Sequence, residues 1–467
     1  MVSSLEKIFR ARSVAVVGAS EKKGSIGRAI MENLLSSFKG SIYPVNIKYD
    51  KVFNLKCYKS VKDIPGQVDL AVIAVPAKAV LSVIKDCGEK GVKGAIVISA
   101  GFRESGKEGA ELEEKLVSLA REHEVKIIGP NCLGVYSAHS GLDTIFNPSD
   151  RQAKPEPGPI AFISQSGALG AALLDWIAAT NIGMSHFVSY GNAADVDETE
   201  LIEFLAEDPE TKVIACYIEG VRRGREFLKA IKKASAKKPV VVLKAGKTTR
   251  GAAAVASHTG SMAGSYKVYE GALKQHGAIV VEDLKSLLNT SKALALQPPA
   301  KGPRVGIVTN GGGAGVLMAD ELESKDLEIP SLSPSTVAEL EKVLPPSAST
   351  ANPVDILGDA PAERYRDAVN LVLKDPNVDV VVVITLMQSP ALSPKTLKDY
   401  LKQIVSETDK PIVMVAPGGS YTEKHSSEIE VEAGIPIYKT PEDAAVAVKA
   451  LVDYGAIQQQ ISSSKQE

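Results

Sequence analysis

The stretch RSVAVVGASEKKGSIGRAIMENLL, Arg12 to Leu35, decides the fold. Its first part, Ser13 to Val17, is a short continuous apolar run that gives way at Gly18 to a glycine-bearing turn. From Gly24 onward, small and apolar residues recur at helical spacing. A continuous rather than alternating run marks a strand buried on both faces, and an amphipathic helix directly after it marks the cover for one of them. The same alternation continues through SIYPVN (Ser41–Asn46), VDLAVIAVP (Val68–Pro76), GAIVISAGF (Gly94–Phe102) and VKIIGPN (Val125–Asn131). Helical patterns such as AKAVLSVIKDCGEKG and EGAELEEKLVSLAREHE separate these runs. The class is α/β with a mainly parallel sheet.

The pattern breaks twice and restarts twice. FNPSDRQAKPEPGP, residues 146–159, is rich in proline and charge and reads as a linker; LQPPAKGP, Leu296–Pro303, is a second break. After the first break come IAFISQSGALGAALLDW, FVSYGN, VIACYIEG and PVVVLKAG; after the second come RVGIVTNGGGAGVLMADELE, VDVVVVITLM and PIVMVAPGG. These breaks predict three successive α/β domains over residues 1–145, 146–298 and 299–467, the last ending in a polar, frayed tail from Ile457. A chain of 467 residues exceeds what one core holds, which agrees with that division.

Bulk composition excludes several classes. Net charge is −2 with no long basic run, so the footprint of a nucleic-acid binder is missing. No apolar stretch reaches the ~18 residues of a membrane span, and MVSSLEKIFRARS lacks a signal-peptide core. Cys57, Cys87, Cys132 and Cys216 form no CxxC pair and no metal-ligand spacing, so buried free thiols and no bound metal are expected. The chain reads as soluble and cytoplasmic.

Four segments carry chemistry. In GASEKKGSIG, Gly18 to Gly27, glycines let the backbone approach a phosphate at a helix N-terminus. The spacing departs from GxGxxG, and the second strand closes on Asn46 and Lys48 rather than an acidic residue. Both features count against a nicotinamide cofactor, while a lysine there suits a ligand with an additional phosphate, such as coenzyme A. In ISQSGALG, Ser164, Gln165, Ser166 and Gly167 stand at a strand-to-helix junction, where ordinary N-capping by serine is the competing explanation. TNGGGAG repeats that logic with Gly311, Gly312 and Gly313, whose backbone entropy requires a reason such as a bound phosphate. Finally, KTTRGAAAVASHTGSMAGS, Lys247 to Ser265, has few side chains able to anchor a core and reads as a mobile loop with His258 near its middle. Imidazole accepts a phosphoryl group near neutral pH when one ring nitrogen is held, and Glu219, in YIEG at a neighbouring strand end, could hold it. AGKTTR resembles the end of a Walker loop, but Val241 stands where glycine is required.

Together, GAS…GSIG, AVIAVP, SAGFRE, GPNCLG, SQSGALG, YIEG, SHTGSMAG, TNGGGAG and NPVDILGD resemble, in this order, the α subunit of the ADP-forming acetyl-CoA synthetases, within the superfamily of succinyl-CoA synthetase. The resemblance covers residues 5 to 455. It implies a Rossmann-like CoA-binding domain followed by two flavodoxin-like domains. It further implies an acid–thiol ligase that converts acetyl-CoA, inorganic phosphate and ADP into acetate, CoA and ATP. His258 then matches the phosphorylated histidine and Glu219 its support, with the helices opening at SQSG and GGGAG stabilising the phosphohistidine. Gly18, Ser20, Gly24, Ile26, Lys48, Pro76, Ser99, Gly101 and Phe102 would lie near the cofactor, and Asn131 near the thioester. Mg-ADP or Mg-ATP would bind an ATP-grasp β partner in an α2β2 heterotetramer. A different acid, such as succinate or an aryl or branched acid, and a CoA-sensing regulatory module are the alternatives.

Overall fold

A computed structural model of the chain describes residues 4–180, 182–259 and 265–463. The chain divides into two compact units, residues 1–281 and 282–467.

The first unit holds two large sheets. The first is wholly parallel, in the order Ser41–Val45, Ser13–Val17, Leu70–Ile73, Gly94–Val97, Lys126–Ile128. Numbered along the chain, that is 2-1-3-4-5, a doubly wound sheet whose carboxyl-end crevice lies between its first and third strands. Every residue of Ser13–Val17, Leu70–Ile73 and Gly94–Val97 is buried, as their unbroken apolar character requires. The second sheet repeats this order with Pro157–Ser164 as its first strand, Met184–Ser189 beside it, and Val213–Ile218, Val240–Lys244 and Ile279–Val281 on the other side. One buried apolar cluster runs from Val14, Ile30 and Leu34 through Val135 and Leu142 to Ile163, Leu205 and Phe227. That shared core is why two sheets make one unit.

Two boundaries differ from those expected. Gly134–Ser137 pairs antiparallel with Met184–Ser189, and Leu142–Asp143 pairs with it in turn, so these residues extend the second sheet rather than the first. The linker beyond them is pinned: Lys154 pairs with buried Asp143 at 2.6 Å, and Gln152 Nε2 donates to Ala171 O at 2.8 Å. The helix Leu284–Leu296, expected in the middle domain, packs instead within the second unit against the helix Pro441–Ser463. Lys292 holds Glu430 at 2.6 Å and Asn289 reaches Asp443 at 3.0 Å, contacts of high sequence separation that no local pattern announces.

The second unit carries a parallel sheet in the order Val354–Asp355, Val305–Thr309, Val380–Ile384, Ile412–Val415, Ile437–Tyr438, again 2-1-3-4-5. One doubly wound motif therefore occurs in all three large sheets. All four cysteines are buried free thiols, as expected. No helix among the described residues is long and apolar enough to cross a membrane.

Candidate active site

The three glycine- or serine-bearing turns each follow the first strand of a sheet, beside the crevice that the 2-1-3-4-5 winding creates. At the first, Gly18 has φ +95°, and a Cβ there would lie 2.3 Å from Ala74 O on the adjacent strand end. A Cβ on Gly27 would lie 2.0 Å from Gly18 O. The pair lets strand, turn and helix close on one another, performing the packing role of a dinucleotide fingerprint without its spacing. Ser25 caps the helix Ile26–Ser37, accepting from Arg28 N at 3.3 Å. Asn46 is structural: its amide donates to Ala19 O at 2.8 Å and accepts from Lys48 N at 2.9 Å.

A cavity of about 1090 Å³ opens between the two sheets of the first unit. Of the residues singled out in the sequence, Ile26, Pro76, Ser99 and Asn131 line it from the first sheet, and Gln165, Ser166, Gly167 and Glu219 from the second. Gly18, Ser20, Gly24, Lys48, Gly101, Phe102 and Ser164 do not line it. Lys48 is exposed on the surface turn, Phe102 is fully buried, and Ser20 accepts from Lys22 N at 3.0 Å.

The SQSG turn is built from its own side chains. Ser164, fully buried, donates to Ser166 O at 2.7 Å, and Ser166 caps the helix Gly167–Ala178 by accepting from Leu169 N at 3.4 Å. Gln165 reaches across to the next strand end. Its Oε1 accepts from Glu219 N and from Gly220 N (2.9 Å), and its Nε2 donates to Gly220 O at 2.8 Å. The amide thus locks the turn that presents Glu219. Lys244 supports the same turn from the following strand, its Nζ donating to Glu219 O at 2.8 Å. The remaining positions of the helix Gly167–Ala178's first turn, with their partial positive charge, face the cavity at Gly167 and Ala168.

His258 belongs by backbone to the helix Thr249–Thr259, not to a loop. The alanines at 252–254 favour helix, and that outweighs the lack of large side chains. The side chain of His258 lies outside the described residues, as do residues 260–264.

In the second unit, Gly311 precedes the helix Gly312–Glu323 with no side-chain cap. A Cβ on Gly311 would lie 2.5 Å from Leu386 Cδ1, and one on Gly312 2.9 Å from Asp355 Oδ2; Gly313 stands in open space.

Several cavity residues were not legible beforehand. Arg103 pairs with buried Glu113 at 3.0 Å. Glu104 accepts from Asn192 Nδ2 at 2.6 Å and from Gly101 N at 2.6 Å; these bonds outweigh its burial and hold its carboxyl below the usual range. Arg222 donates to Asn192 O at 2.8 Å and Ala193 O at 3.2 Å. Glu198 opens the helix Glu198–Glu207, where an acidic residue reads as an ordinary helix start; that its carboxyl turns inward has no sequence signal.

Residues 12–138 match a CoA binding domain, 157–294 a succinyl-CoA ligase like flavodoxin domain, and 305–458 a ligase-CoA domain. The chain is 44% identical to the α subunit of acetate–CoA ligase [ADP-forming] II from Pyrococcus furiosus, over 96% of this chain and 97% of that one. It is 42% identical to acetate–CoA ligase [ADP-forming] I of Archaeoglobus fulgidus over 97% of its own length but 64% of that longer chain. Among solved structures, a dinucleotide-forming acetyl-coenzyme A synthetase of Ca. Korarchaeum cryptofilum, in complex with phosphate and ADP, aligns with TM-score 0.91 at 41% identity, covering 98% of each chain. The chain belongs to the ADP-forming acetate–CoA ligase family and corresponds to its α-subunit portion.

Proposed function

We propose that this chain is the acyl- and CoA-handling subunit of an ADP-forming acetate–CoA ligase. Phosphate attacks the thioester carbon of acetyl-CoA, the C–S bond breaks, and CoA leaves as its thiol with acetyl phosphate retained. One ring nitrogen of His258 then takes the phosphoryl group, releasing acetate, while Glu219 holds the proton on the other nitrogen. The phosphohistidine passes its phosphoryl group to ADP on a separate ATP-grasp partner in an α2β2 assembly within the cytoplasm. Mg2+ travels with that nucleotide.

The observation that carries this reading is the cavity joining the carboxyl edges of both sheets of the first unit. Pro76, Ser99 and Asn131 line one wall, suited to coenzyme A; Ser166, Gly167 and Glu219 line the other, suited to phosphate and its acceptor. The backbone N–H-rich helix start at Gly167 would offset the phosphohistidine dianion. Cys132, also in the wall, has its thiol pushed up to about 12 by burial, so it is no competing nucleophile.

The test is acid-labile, base-stable phosphorylation of the chain, purified with its partner and supplied with acetyl-CoA and labelled phosphate. Wild type takes up label and His258→Ala takes up none. An unlabelled wild type with coenzyme A bound would leave a CoA-sensing module as the function.

A further inference from the structure

Glu198 is an anomaly in the cavity wall. It is 2% exposed, yet among the described residues its side chain makes no hydrogen bond or ion pair with another residue. Its neighbours are already engaged. Asp197 caps the helix by accepting from Thr199 N at 2.9 Å and is clamped by Arg223 through two bonds of 2.8 Å. Arg222 donates to the Asn192 and Ala193 carbonyls. Close enough for Glu198 to oppose its ionisation, the fully buried Tyr190 hydroxyl has no hydrogen-bond partner among the described residues. Buried polar groups are ordinarily paired to other residues, and a buried carboxyl in the cavity wall that bonds only to its own backbone marks a place where a ligand oxygen completes the set.

We propose that Glu198 is a further substrate-binding residue, holding a carboxylate oxygen of the acid through a carboxyl-to-carboxylate hydrogen bond, with Tyr190 as its neighbour. This rests on the ligase reading above. The donor must carry its proton, since an ionised glutamate would repel an anionic substrate. Burial first, then the charge of Asp197, push Glu198 up to about 7, against the opposing pull of its own backbone N–H and of Arg222 and Arg223. Tyr190 and Cys216 also lie within reach of its charge, and Arg103, Glu104 and Glu219 share its cavity. The phenol and the thiol are both held well above their ordinary ranges, chiefly by burial, and stay neutral. Glu198 is therefore the donor that neutral pH can remove. Acid binding weakens as pH rises through 7, and acid bound there draws a proton onto Glu198.

The experiment measures KM for acetate in the thioester-forming direction, with CoA, ATP and the partner subunit present, between pH 6 and 9. Wild type shows KM rising about tenfold per unit above pH 7. Glu198→Gln, which keeps a donor that does not titrate, flattens that rise, and Glu198→Leu raises KM for acetate at pH 6.5 about tenfold or more. KM for CoA stays constant in both, which a merely structural defect would not leave intact. The same rise persisting in Glu198→Gln, or an unchanged KM for acetate in Glu198→Leu, overturns the assignment. A wild type that forms no acetyl-CoA at all would instead refute the ligase reading.

Discussion

The turn after Pro157–Ser164 in the first unit and the turn after Val305–Thr309 in the second are the same device written in different residues. Each strand ends in a hydroxyl that donates to the carbonyl two residues on: Ser164 to Ser166 O at 2.7 Å, Thr309 to Gly311 O at 3.0 Å. Each has an amide next, reaching to the end of the sheet's third strand. Gln165 grips Glu219 and Gly220, and Asn310 donates to Leu386 O at 3.2 Å while accepting from Leu386 N at 2.8 Å. They diverge at the third position. Ser166 caps its helix with a hydroxyl, whereas Gly311 leaves the helix N–H groups without a side-chain cap because Leu386 occupies the place of a Cβ. The amide clamp is thus the shared structural part, and the third position is where a helix start is either satisfied internally or left open to an anion.

The largest effects are expected at the amides. Gln165→Ala strands two backbone N–H groups and a carbonyl at the Glu219 turn and costs about 2–4 kcal/mol, read from denaturant unfolding. Because the turn presents Glu219, the same variant loses most of its phosphohistidine formation. Asn310→Ala strands one donor and one acceptor and costs about 2 kcal/mol. Should either variant unfold like wild type, the clamps are not the common element.

Smaller effects sharpen the difference at the third position. Gly311→Ala displaces the tip of the Leu386 side chain, a flexible neighbour, for about 1 kcal/mol. It is expected to impair phosphoryl transfer more than stability. Ser166→Ala loses an N-cap for about 1 kcal/mol, and Ser166→Gly loses only a few tenths, because glycine leaves the N–H groups to water or ligand. Equal losses for Ser166→Gly and Ser166→Ala in thermal unfolding would mean that Ser166 contributes more than a cap.

The sequence by itself determined the strands, the helices and the turns that join them. Their signals are local: unbroken apolar runs, amphipathic periods, and glycine or serine where a chain must turn sharply into a helix. It located Glu219, Gln165 and Ser166 for the same reason, since a strand's end and a helix's start fix a residue's place at the sheet edge. It also misread one local balance, at Thr249–Thr259, where alanine's helix preference prevailed over the absence of anchoring side chains. Only the tertiary structure decided that Gly134–Asp143 adds two strands to the second sheet, that Leu284–Leu296 packs in the second unit, and that Glu198 faces a cavity rather than water. Each of these depends on what a residue meets far along the chain. Burial and the protonation it imposes are set by those distant neighbours, so no spacing within the sequence records them.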